Sequence, residues 1–411
     1  MSTSDTESDP WFRPVWEDEA DETDSPPLLS PLPASSRGSR NHTGHLPLAA
    51  LLSPLCAAQE ALTRLDARLE AASEAVREGA LARLVFREAA GFLAARHAWV
   101  HPNDLALRDL NLTGHFDAAV QSGAPASALP NTLAGQDQSW AGPVELPALV
   151  LYEAAVPAAL HLARLLRHLP RRHDPLAQPT TAAELLAPLG ADPAGSFDPA
   201  LFERWRRGLA PVSPRAHRRP GAPDTPPLPV LFAAAHAARD WMEGGITDRP
   251  TAVQALAAAA LHLARADSPK LAPLPIWSAW PAIGQPSQDG LPRLRAGVAA
   301  RLTGGDGETW EGVFLHLVAE GARAGLRDLD RLLQAEATGA VLTAGIDKRS
   351  RLGDAINAAL RVPALTPKSL ARRLGITHQA AIRLLTRLSQ AGVVVEITGR
   401  RSFRAFAAGM G

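Results

Sequence analysis

Cysteine occurs once in the 411 residues, at Cys56, which excludes an internal disulfide framework and suits a reducing compartment. Cys56 stands in an apolar helix start, where a small buried hydrophobe is expected rather than a reactive thiol. Long apolar runs are missing. The uncharged apolar stretch Pro250 to Ala264 is rich in alanine and shorter than the roughly 20 residues a bilayer span needs. The acidic N-terminal stretch has no apolar core segment, so no signal peptide is expected; the chain reads as cytoplasmic, with no membrane partner. Lysine is scarce: Lys270, Lys348 and Lys368 are the only ones among 42 Lys and Arg. With abundant Ala, Leu and Pro, that bias suggests a bacterial genome of high GC content.

The usual signatures of chemistry are also missing. Gly304-Gly305-Asp306-Gly307 has no following Lys and follows no strand, so it reads as a turn rather than a phosphate loop. No Gly-x-Ser-x-Gly nucleophile motif occurs. His97 and His101 stand four apart, but Pro102 follows and no third ligand is in view, so a capping or packing role is expected over zinc. His236 and His262 lie in Ala-rich helical stretches with no acid or nucleophile at a telling spacing, and both read as core or rim histidines. No catalytic residue, metal or cofactor is expected.

What is present is a polarised charge distribution. The formal net charge is zero, yet nine acids between Asp5 and Asp24 face only Arg13 at one end. At the other, residues 361–411 carry nine Arg and Lys against a single acid, Glu396, a net of +8. The length suggests two or three domains. Residues 1–44 read as a disordered acidic tail containing Trp11, Phe12 and Trp16, which could fold back on the basic end. Residues 45–170 form a helical region. In it Leu55, Ala58, Leu62, Leu65 and Leu69 make a core-facing stripe too short for a coiled-coil seam, and Leu81, Val85, Ala89 and Phe92 continue the pattern. Residues 171–228 are a Pro/Arg-rich linker with short helices, one capped by Thr181 and one opened by Asp198-Pro199. Residues 229–344 are helical again. Val230 to Ala266 breaks at Gly244-Gly245 and Pro250, and a long helix from Glu308 to Ala335 presents Trp310, Phe314, Leu317, Gly321 and Ala324 on one face. No strand-rich segment and no repeat of 20–50 residues stands before residue 393.

Residues 345–411 give the clearest signal, that of a winged helix-turn-helix. After a connecting helix, Ser350 to Arg361, Thr366-Pro367 caps and opens a short helix that Gly375 ends. Thr377 caps a longer helix that Gly392 stops, and Val393, Val395 and Ile397 alternate with Val394, Glu396 and Thr398 as in a strand with one buried face. Gly399-Arg400-Arg401 turns into a returning strand, Ser402 to Ala407. Ala381, Leu385 and Leu388, broadened by Ile382 and Leu384, make an apolar stripe facing Leu370, Leu374 and Ile376. Gln379, Arg383, Thr386 and Gln390 repeat on another face with Arg387 beside them. Gln and Arg can each bond a purine edge in the major groove, and Thr can touch a thymine methyl. The base-reading candidates are therefore Gln379, Arg383, Thr386 and Arg387. The phosphate candidates are Lys368, Arg372, Arg400, Arg401 and Arg404.

Three segments carry a resemblance to Fic-family proteins: Pro273-Leu274-Pro275-Ile276-Trp277-Ser278-Ala279-Trp280, Trp310-Glu311-Gly312-Val313-Phe314-Leu315, and the winged region with Ile397-Thr398-Gly399-Arg400. The segment Pro227 to Trp241, with Ala235-His236-Ala237, resembles the helix that precedes the Fic active-site loop. Where the adenylyl-transfer motif would follow stands Met242-Glu243-Gly244-Gly245-Ile246-Thr247-Asp248-Arg249, without the general-base His or the phosphate-holding Gly-Asn-Gly run. The order of segments, including Gln59 to Asp66 and His101 to Leu110, more closely resembles a bacterial family that joins a helical domain of unknown function to a C-terminal helix-turn-helix, over most of residues 46–408.

The sequence therefore implies a mainly α protein: a multi-helix, catalytically degenerate Fic-like body and a C-terminal winged helix-turn-helix. The implied role is a sequence-specific binder of double-stranded DNA, a transcriptional regulator and plausible homodimer. Two alternatives stay open, a divergent AMP transferase and a protein-interaction scaffold.

Overall fold

In the computed structural model the described residues are 48–95, 100–109, 146–168, 176–190, 197–209, 228–265, 275–285, 291–303, 309–346, 350–398 and 404–409. The acidic tail, Arg400, Arg401, His97 and the glycine run at 304–307 lie outside them. Within the compact unit Pro47–Gly411 the described residues are mainly helical, as the periodicity implies.

The apolar stripe of helix α1 (Leu48–Ala71) sets the frame, because Ala58, Leu62, Leu65 and Leu69 are all buried. Helix α2 (Glu74–Ala94) starts at Ser73, whose Oγ accepts from Val76 N–H at 3.3 Å. Helix α3 (Pro102–Asp109) follows His101, whose Nδ1 accepts from Asn103 N–H at 3.2 Å, a capping role. Helix α4 (Leu146–His168) packs on α2 and keeps Pro157 exposed inside its length.

Helix α5 (Pro179–Leu186) starts three residues earlier than expected. Pro179 takes the first helical position, where its fixed φ is favourable, so Gln178 is the cap and Thr181 lies inside the first turn. Helix α6 (Pro199–Gly208) begins as expected, with Asp198 Oδ1 accepting from Ala200 and Leu201 N–H groups. Helices α7 (Val230–Glu243) and α8 (Ala252–Leu263) pair through their alanine faces. Gly245, at φ 64°, makes the turn between them.

Helix α9 (Trp280–Ile283), preceded by a 3-10 turn at Trp277–Ala279, leads into two-residue strands β1 (Gly284–Gln285) and β2 (Arg293–Leu294). Helix α10 (Ala296–Thr303) precedes α11 (Trp310–Thr343), the longest element. α11 lies along α1 and runs past Ala335, where the apolar pattern in the sequence thins to small residues. It continues because Ala335 and Gly339 still face a neighbour: a Cβ at Gly339 would come within 2.8 Å of Ile356 Cγ2.

Three short motifs lock the body together. Glu88 on α2 is buried and accepts from the backbone N–H groups of Ile276, Trp277 and Ser278 at 2.7–2.9 Å. Burial pushes its carboxyl above the usual range, opposed by these backbone hydrogen bonds. Around that anchor Gly91 leaves room for Trp277 O, which an added Cβ would meet at 1.9 Å. Gly321 does the same for Pro275 O, at 2.4 Å. Pro275, Ile276 and Trp277 thus sit wedged between α2 and α11. The third tie is His236 with Arg239 on α7, both bonded to Glu311 of α11.

Cys56 is exposed, contrary to expectation. Two residues before Ala58 on a helix is a rotation of about 200°, so the buried stripe turns Cys56 to the outside. Among the described residues no helix is long and apolar enough to cross a membrane.

Candidate nucleic-acid interface

The C-terminal basic segment folds as three helices and a hairpin. Helix α12 (Leu352–Arg361) buries Leu352, Ala355, Ile356, Ala359 and Leu360. Helix α13 (Pro367–Leu374) opens with reciprocal capping: Thr366 Oγ1 accepts from Ser369 N–H at 3.1 Å and Ser369 Oγ from Thr366 N–H at 2.9 Å. Gly375, at φ 63°, ends it in the left-handed region that a side chain would resist. Thr377 then caps α14 (His378–Gln390), whose Ala381, Leu385 and Leu388 are fully buried against the module's core with Leu370.

The chain returns through β3 (Val394–Glu396) and β4 (Phe406–Ala408), paired antiparallel with Glu396 opposite Phe406. Here the alternation differs from expectation. Val393 and Val394 are both buried and Val395 is exposed. Val393 N–H still bonds Leu388 O at 2.9 Å, so Val393 closes the helix rather than starting the strand, and the strand's inward phase begins at Val394. Leu365 adds a short bridge to the hairpin, with N–H···O bonds of 2.8 and 2.9 Å to and from Phe406. Sequence reasoning missed that bridge, since a single bridging residue after Pro363 leaves no periodic signal.

The structure leaves Gln379, Arg383, Arg387 and Gln390 exposed along α14, with Thr386 half-buried beside them. Lys368 and Arg372 are exposed one turn apart on α13. Arg373 and His378, not singled out in the sequence, are exposed as well and enlarge the cationic surface. Among the described residues no carboxylate pairs with Lys368, Arg372, Arg373, Arg383 or Arg387. Arg404 differs. Its Nε donates to Glu396 Oε2 at 2.7 Å, and the guanidinium lies 5.1 Å from the Phe406 ring centroid. The hydrogen bond to Glu396 raises its pKa further. Its charge is already compensated within the hairpin.

A half-buried arginine of the body bridges to the module. Arg83 on α2 donates to Gly79 O and Leu360 O at 3.0 Å, Val362 O at 2.9 Å, Ala408 O at 3.3 Å and Ala359 O at 3.5 Å. Four of these acceptors belong to the module, at the end of α12 and the end of β4. Burial lowers the Arg83 pKa to about 10, and Asp328 partly opposes this. Gly79 permits the contact, since a Cβ there would lie 1.8 Å from Leu360 O. Gly409, at φ 73°, brings the chain after β4 against Arg331 and Leu332 of α11.

The second titratable cluster lies in the body. No acid stands at a telling spacing from His236 in the sequence, but the fold brings Glu311, distant in sequence, to 3.3 Å from its Nε2, with Arg239 on the same carboxylate. The His236 hydrogen bond is the largest cause holding the Glu311 carboxyl down at about 2; burial opposes it, and Arg239 adds to it. A carboxyl held below its unfolded value of 4.5 contributes stability above that pH, and the contribution is lost as pH falls towards 2. Between pH 7 and pH 3, Glu311→Gln should therefore lose up to about 2 kcal/mol less unfolding free energy than wild type, measured by chemical denaturation. Equal losses would show that the cluster does not stabilise the fold. Residues 242–249, where the Fic motif would stand, form the end of α7 and the turn to α8. Among the described residues no three side chains of metal-ligating type converge.

No family model matches this chain, and no curated protein matches it either.

Proposed function

We propose that residues 352–408 are a winged helix-turn-helix that binds double-stranded DNA, and that the protein is a sequence-specific regulator of transcription. The observation that carries this reading is the set of exposed cations without acid partners on α13 and α14, in a segment of net charge +8. In this reading α14 enters the major groove, with Arg383 and Gln379 bonding purine edges and Thr386 and Arg387 alongside. Lys368, Arg372 and Arg373 hold phosphates beside the groove, joined by Arg400 and Arg401, which stand in the sequence between β3 and β4. Arg404 is held by Glu396 within the hairpin and so is not a free phosphate ligand. The helical body carries no adenylyl-transfer chemistry; it holds the module through Arg83. Two copies would read paired half-sites.

In vitro selection of bound duplexes, followed by binding of the variants, tests the assignment. Arg383→Ala should lose about 1–3 kcal/mol of preference for the selected site over a random duplex. Arg372→Ala should instead weaken both by a similar factor and leave the preference intact. Equal loss on both duplexes for both variants would remove the division into base-reading and phosphate-holding residues.

A further inference from the structure

The hairpin of the module contains the only acid between residues 361 and 411, and that acid is bonded to an arginine of the same hairpin. Glu396 Oε2 takes both Nε and Nη2 of Arg404, while the Arg404 guanidinium covers the Phe406 ring and Ala405 N–H bonds Thr398 Oγ1 at 3.1 Å. Both side chains stay in contact with water, at 37 % exposure for Arg404 and 22 % for Glu396. A pair of this kind contributes little to folding, typically below about 1 kcal/mol. At a surface that meets a polyanion its electrostatic consequence is larger. One cation is withdrawn from the interface, and the group that withdraws it repels phosphate.

We propose that Glu396 competes with DNA phosphate for Arg404 and thereby restrains the binding of this module to duplex of any sequence. The proposal rests on the DNA-binding reading above. Carboxylate and phosphate offer a guanidinium the same paired oxygen acceptors, so one can replace the other. The carboxylate is tethered at bonding distance and is present at any DNA concentration. A phosphate must displace it, and the displaced Glu396 then faces the duplex with its charge exposed. Contacts from α14 to bases do not pass through this pair. The restraint therefore falls on the sequence-independent part of the affinity, the part that depends most on salt.

The test uses the full chain and a random 20-base-pair duplex, with affinity measured by fluorescence anisotropy across a salt series. Wild type, Glu396→Gln, Arg404→Gln and the double variant are compared, with Glu396→Ser as a second variant should the Gln form melt at lower temperature. Glu396→Gln should bind about 3- to 10-fold more tightly at low salt, with a slope of log affinity against log salt steeper by about one, the signature of one further phosphate contact. In the Arg404→Gln background the same change should leave the slope unchanged. Weaker binding by Glu396→Gln would make the pair only a brace and overturn the proposal. An equal gain and an unaltered slope in both backgrounds would reduce the effect to removal of one negative charge, and would overturn it too. Wild-type protein that binds no duplex at low salt would overturn both this proposal and the DNA-binding reading, whereas binding with an unshifted slope overturns this proposal alone.

Discussion

Arg83→Met should destabilise the protein by about 3–5 kcal/mol and free the C-terminal module from the body. The side chain is half-buried on α2, yet most of its hydrogen bonds leave that helix, for Ala359 O, Leu360 O and Val362 O at the end of α12 and Ala408 O at the end of β4. The last carbonyls of a helix have no partners within it, and here the guanidinium supplies them. Methionine fills similar volume but leaves these oxygens buried and unbonded, the expensive half of a hydrogen bond's energetics. Arg83→Lys should fall between the two, because an ammonium keeps the charge but cannot span the same acceptors. Thermal unfolding should show a melting temperature lower by roughly 6 °C for a chain of this size. Limited proteolysis should cut near exposed Gly345 and Arg351 in the variant before the body is digested. A variant that melts like wild type and resists that cut would show that Arg83 does not hold the module to the body.

That joint was not legible in the sequence, for a physical reason. Arg83 and Leu360 are far apart along the chain, and nothing in either neighbourhood marks them as partners. The same holds for Glu88 with residues 276–278 and for His236 with Glu311. Local signals fared better. The caps Thr366, Thr377 and Asp198 and the left-handed glycines Gly375 and Gly392 act within one helical turn, so their effects can be read from adjacent residues. Where two local signals conflicted, the weaker one misled. The apolar character of Cys56 suggested burial, although the phase set by Ala58, Leu62, Leu65 and Leu69 turns it outward. The run Val393-Val394-Val395 looks uniformly strand-like, but the helix C-terminus takes the first valine and shifts the buried phase by one residue. At the candidate interface, exposure of Gln379, Arg383 and Arg387 follows from helical spacing alone. The compensation of Arg404 by Glu396 depends on hairpin register, which the alternation misplaced.

The steepest expected response belongs to the interface itself. Lys368, Arg372, Arg373, Arg383 and Arg387 are exposed cations on α13 and α14, and Arg400 and Arg401 stand in the sequence between β3 and β4. If five to seven of these each displace a condensed counterion, log affinity should fall against log salt with a slope of about −4.5 to −6. Raising salt from 50 to 200 mM would then weaken binding by roughly 500- to 5,000-fold. No other contact inferred for this chain changes so much with so small a change of solvent. Apolar association would respond weakly and in the opposite sense.

The most direct measurement is therefore a titration of the purified full-length protein with a random duplex across that salt range. Binding at 50 mM salt with a slope between about −4 and −7 is the result expected of a cationic DNA-reading module. No binding at low salt, or binding that salt leaves unchanged, would contradict it.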